Sequence, residues 1–109
     1  MSLDFYLISL SENKEELAWH NITHNLIPMA EESWLYQCLW RPTENNMFYA
    51  RDIIMHLKAW IYKLQSDPEK YKKLNSDNWW WSYHNFLPFV KRVLESCEKN
   101  PEAEIESFV

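Results

Sequence analysis

Glu16, His20 and His24 stand four residues apart, the spacing at which one helix would present a carboxylate and two imidazoles on a single face as ligands for a divalent metal. No second acid follows in a His-Glu-x-x-His arrangement. The segment Asn21-Ile22-Thr23-His24-Asn25 also has the composition of a helix start, where an Asn or Thr oxygen accepts a hydrogen bond from a free backbone N–H. We read it in that capping and hydrogen-bonding role, with Asn21, His24 and Asn25 as candidate binding residues. A small metal-dependent enzyme using Glu16, His20 and His24, with His84 as a further member, is the alternative. His56 and His84 taken singly are structural histidines.

Two other groups have chemical potential. Cys38 and Cys97 each lie in an apolar periodic context with no histidine close in sequence, which suits buried reduced thiols better than a nucleophile or a disulfide. The acid pairs Glu15-Glu16 and Glu31-Glu32 diverge by about 100° on a helix and read as solvated faces rather than acid–base pairs. The aromatic run Asn78-Trp79-Trp80-Trp81-Ser82-Tyr83 is the strongest signal in the chain. Three consecutive indoles cannot all face one core, since neighbouring positions diverge by about 100° in a helix and 180° in a strand. At least one is left for a second layer, a groove or a partner. Trp, Tyr and Arg dominate interface hot spots, so Trp79, Trp80, Trp81, Tyr83, Asn78, Trp40 and Arg41 form a candidate binding patch.

Composition narrows the classes further. The 109 residues suit one domain, 1–109, and 47% hydrophobic and 17% aromatic content supplies a core. Glycine is absent, which excludes a phosphate-cradling loop, a dinucleotide fingerprint and a nucleophile elbow. A formal charge of −5 opposes nucleic-acid binding and favours a basic protein partner. No basic leader or apolar stretch of membrane-spanning length is present, so a cytoplasmic protein with no membrane contact is expected. No cofactor is implied.

The elements that must position these residues follow from periodicity. Residues 4–10 read as a strand, 11–14 as a polar turn, and 15–20 as either a helical turn or an extended approach. A helix is expected from Asn21 or Thr23, with Leu26, Met29, Ala30 and Trp34 inward, closing at Arg41-Pro42 before Asn45-Asn46. Ala50, Ile53, Ile54, Leu57, Trp60, Ile61 and Leu64 mark the clearest helix. A short helix follows Asp67-Pro68 through Lys73, then a loop over 74–78. The last helix runs from Trp79 or Trp80 to Lys99 with Pro88 inside it, kinking it or restarting it there, and residues 103–108 alternate as a strand. The two terminal strands should pair, because a lone strand leaves its backbone unsatisfied. The predicted fold is therefore α+β and mostly helical: three main helices, one short helix and a two-stranded sheet of the N- and C-terminal strands.

Asn21-Ile22-Thr23-His24-Asn25-Leu26 with Met29-Ala30, Leu39-Trp40-Arg41-Pro42, Asp67-Pro68, Tyr71-Lys72, Leu74-Asn75, Asn78-Trp79 with Ser82-Tyr83, and Cys97 with Asn100-Pro101 resemble the motifs of a group of small uncharacterised bacterial and phage-type proteins. The likeness spans nearly the whole chain. In that group the loop reads Asn-Gly-Trp-Gly-Ser-Tyr; here both glycines are missing and a Trp replaces the second. The resemblance implies a bacterial or mobile-element setting and no activity. Together these readings point to a non-enzymatic protein that binds a protein partner or a small ligand through an aromatic patch, in its most concrete form an acidic inhibitor or immunity-like protein. A homodimer would use the same surplus of indole.

Overall fold

The computed structural model describes residues 2–23, 35–66, 69 and 79–108, with Thr23 and residues 79–83 described by their backbone. Three strands, β1 (Ser2–Ile8), β2 (Glu16–Thr23) and β3 (Glu104–Phe108), form an antiparallel sheet in the order β2-β1-β3. Between β2 and β3 the described chain forms a short helix α1 (Leu35–Leu39), a 3₁₀ turn (Thr43–Asn45), and two long helices, α2 (Ala50–Ser66) and α3 (Trp79–Lys99).

This corrects the expected count of three main helices, one short helix and two strands. The terminal strands do pair, Asp4 opposite Phe108 through Ile8 opposite Glu104, but β1 is the central strand and β2 covers its other edge. Residues 21–23, expected to open a helix, are the end of β2, so Asn21 is not a cap. The inward positions of β2 are Ala18, His20 and Ile22, opposite Leu7, Phe5 and Leu3. A small residue and a polar ring in that set mute the period-two hydrophobic signal. Pairing with β1 then decides the conformation. Strand pairing shifts between Leu7 and Ile8, a bulge that turns Ile8 into the interior as well. Residues 24–34 of the helix expected to close at Arg41-Pro42, the 74–78 loop, and the short helix to Lys73 apart from Glu69, which is helical, lie outside the described residues.

Leu3, Phe5 and Leu7 on the inner face of β1 are fully buried, against Phe86, Phe89, Val90, Val93 and Cys97 of α3 and Ile53, Leu57, Ile61 and Leu64 of α2 in one core cluster. Three- and four-residue spacing on both helices meets two-residue spacing on the sheet. α3 passes through Pro88 without interruption, with that residue on its exposed side. Leu35, Cys38, Leu39 and Trp40 close the core beneath β3, where Ser107 Oγ donates to the Leu39 carbonyl at 2.8 Å.

Turns are made without glycine. Asn46 ends the 3₁₀ turn in the left-handed region at φ 60°, and Lys14 does the same in the β1–β2 connection at φ 46°. Asn takes this conformation readily; Lys is held there by the bond from its N–H to the Ser11 carbonyl (3.0 Å), next to the bond from Ser9 N–H to the Glu15 carbonyl (2.8 Å).

The start of α2 is tied to the sheet. Its first N–H groups, from Ala50 and Arg51, donate to the carbonyls of Ala103 (2.8 Å) and Pro101 (3.0 Å), so the turn before β3 satisfies donors that a helix end leaves open. Asp52 Oδ2 accepts from Phe48 and Tyr49 N–H, both at 3.0 Å, the backward half of a capping box. Asp52→Ala should lower stability by about 1 kcal/mol, read as a lower urea midpoint at unchanged slope; an unchanged midpoint would show that the cap contributes nothing.

Candidate functional site

The outer face of the sheet collects what the core does not. Its cross-strand rows are Asn21–Asp4–Phe108 and Trp19–Tyr6–Glu106, side chains that point away from the helices. Trp19 and Phe108 are 55% and 56% exposed, too open for core residues and well placed for contact. Tyr6 lies between them and meets Phe108 edge to face, with ring centroids 5.6 Å apart. Asp4 Oδ1 accepts from Trp19 Nε1 at 3.1 Å and from Asn21 Nδ2 at 2.8 Å, while the Asn21 amide also donates to Ser2 Oγ (3.0 Å) and the Leu3 carbonyl (3.2 Å). The result is an aromatic diagonal set among carboxylates. Lys14 stands 4.0 Å from Glu104.

A cleft of about 350 Å³ adjoins this face, with residues 40–44 on one wall and 105–108 on the other. Trp40 is only 3% exposed, so the indole expected in a binding patch is a core residue that contributes only an edge to the cleft; it stacks on Tyr36 with centroids 5.8 Å apart. Arg41 is exposed and donates from Nε to Tyr36 Oη at 3.3 Å, a contact that raises its already high pKa, with Glu44 adding to the effect. Trp79, Trp80, Trp81 and Tyr83 occupy the first turns of α3, and their side chains, like Asn78, His24 and Asn25, are outside the description. Of the predicted patch, the structure brings Trp40 and Arg41 to one cleft and Asn21 to the adjoining face.

The helical metal triad loses its basis, because Glu16 and His20 lie on a strand. His20 is turned to α3: its Nε2 shares a 2.8 Å hydrogen bond with Ser96 Oγ, and its ring meets Phe89 edge to face at 6.2 Å. Among the described residues no group of three or more His, Cys, Asp or Glu could hold a metal ion. Sequence reasoning passed over Trp19, Tyr6 and Phe108. The signal available was the alternation of residues 3–7, which sends Tyr6 outward, and the same alternation in the last strand, which does so for Phe108.

Cys38 and His56, remote in sequence, line one small cleft of about 220 Å³ with Met47. Burial pushes the Cys38 thiol up to about 12, and that of Cys97 likewise to about 12, the reverse of an activated nucleophile. Both cysteines are free and buried. In the folded protein at neutral pH, iodoacetamide should leave both unmodified over a period in which both react in denaturant, as followed by mass; rapid single alkylation at Cys38 would instead reveal a thiol activated beside His56.

Desolvation, and then the Arg92 charge, lower the His20 pKa from its ordinary 6.5. The unfolded chain therefore takes up a proton that the folded chain resists. Stability from this group is complete above pH 6.5 and falls as the pH drops from there through the lowered folded value. His20→Gln, which cannot be protonated, should lose less of its urea midpoint between pH 7.5 and 5.5 than the parent does; equal losses would remove His20 from the acid response. No protein-family model, curated protein or solved structure matches this chain.

Proposed function

We propose that this chain is a non-enzymatic binding protein whose contact surface for a basic protein partner is the outer face of the β2-β1-β3 sheet. The observation that carries the reading is the placement of Trp19, Tyr6 and Phe108 on that face beside Asp4 and Glu106. Exposed aromatic rings supply most of the energy of a protein interface at a low cost in side-chain entropy. Here their carboxylate neighbours select cationic side chains, which also stack favourably on indole and phenol faces.

The formal charge of −5 supports the same choice of partner by steering and disfavours a phosphate backbone. An inhibitor or immunity-like protein, which acts by covering a basic surface on its target, is the concrete form of the proposal. Such a role needs no catalytic group. It fits a chain in which the described cysteines are masked by burial and His20 is committed to a structural hydrogen bond.

The test is capture of a partner from an extract of the source cells by tagged protein, repeated with Trp19→Ala and Phe108→Ala and with two controls on the outer side of α2, Met55→Ala and Tyr62→Ala. Met55 and Tyr62 are 73% and 72% exposed, so they match the sheet residues in accessibility while lying on another surface. Trp19→Ala should weaken the complex by roughly 30-fold, the effect of losing an interface hot spot, while the helix controls bind within about twofold. Undiminished capture by both sheet variants would sink the proposal.

A further inference from the structure

Among the described residues, the upper edge of β3 is only half covered. Ala103 C=O accepts from Ala50 N–H at 2.8 Å, and Ile105 N–H donates to Phe48 C=O at 2.9 Å, bonds that point away from β1 and frame the antiparallel bridge between Tyr49 and Glu104. The ladder stops there because its next donor is taken. Phe48 N–H, which would return to Ile105, donates to Asp52 Oδ2 at 3.0 Å, and Met47 N–H donates to Pro42 C=O at 2.9 Å, so the segment turns away. Main-chain groups along a strand alternate in direction, and the next pair to point outward belongs to Ser107. Ser107 opens onto the cleft of about 350 Å³. Its side chain faces the other way, its hydroxyl donating to the Leu39 carbonyl at 2.8 Å, which fixes the edge in place.

We infer that an extended, lysine- or arginine-bearing segment of the protein partner adds to this edge, exchanging both main-chain hydrogen bonds with Ser107 and laying its side chains in the cleft. The inference rests on the proposed binding function and extends its surface, since Glu106 and Phe108 belong both to the sheet face and to the cleft wall. Charge selects the occupant. Glu44 and Glu106 line the cleft, and the cation on its wall, Arg41, already donates to Tyr36. A basic side chain meets those carboxylates, and Pro42 and Phe108 receive an apolar neighbour. Strand addition of this kind draws affinity from the main chain and selectivity from alternate side chains. A nucleic acid offers neither the alternating N–H and C=O groups nor the right charge, and a second copy of a −5 chain brings like charge to the edge.

The experiment compares Ser107→Pro with Ser107→Ala. Proline deletes the outward N–H without touching the β1 ladder, whereas alanine keeps that N–H and loses the Leu39 bond. The probe is a short capped peptide alternating Lys and Val, labelled for anisotropy, with a Glu and Val peptide as the charge control. Expected are hydrogen-exchange protection of the Ser107 amide on saturation, about tenfold weaker binding to Ser107→Pro from the lost main-chain bonding, and a smaller loss in Ser107→Ala, which keeps the N–H; an equal loss in the two variants would overturn the inference. If Ser107→Pro fails to fold, the same loss is read with the wild-type chain and a peptide N-methylated at alternate residues. Lack of Ser107 protection, equal binding of the N-methylated or acidic peptide, or a dimer abolished by Ser107→Pro would each overturn the inference. Partner capture lost in Trp19→Ala but kept in Ser107→Pro would overturn strand addition and leave the sheet-face function standing; the opposite pattern would support strand addition and remove the sheet face.

Discussion

The alternation of β1 is the constraint on which the rest of the described structure depends. Leu3, Phe5 and Leu7 must be dry, and the helix pair α2–α3 supplies the apolar surface that covers them. Once that face is fixed, the other follows without choice: Asp4 and Tyr6 are sent to the opposite side, and their partners on β2 and β3 with them. The proposed contact surface is thus a by-product of burying the core. Moving Tyr6, Trp19 or Phe108 inward would require a one-residue slip that exposes three fully buried side chains.

The two chain-end strands and the long helices were legible because each carries a clean period over enough residues. Ala50 to Leu64 keeps a helical stripe for four turns, and Leu3, Phe5 and Leu7 keep a strand stripe. β2 was not legible, since its inward set includes His20, whose polarity is met by Ser96, a residue 76 positions away. A hydrogen bond at that separation leaves no local mark. Trp40 misled for a related reason: an indole next to Arg41 and Pro42 has the composition of a surface patch, yet it packs beneath β3, a relation set by tertiary structure alone. Of the residues expected in a binding patch, Arg41 lies at the cleft and Asn21 on the sheet face, where Asn21 joins an Asp4 network in place of the cap expected of it.

The joint between α2 and β3 shows how local capping shapes an edge. Asp52 takes the Phe48 N–H that could have continued the ladder, together with the Tyr49 N–H, so the same carboxylate begins a helix and ends a strand pairing. Natural sheets commonly blunt their edges with charge, bulges or cover. Here, among the described residues, cover reaches Ile105 and stops, and the hydroxyl of Ser107 ties the remainder to the Leu39 carbonyl.

Asp4 accepts both the indole N–H of Trp19 and the amide of Asn21. A ring tethered in this way has less rotational freedom, given up when the domain forms. The proposed complex would then start from a surface already partly ordered, and a slow dissociation could be had from a modest area.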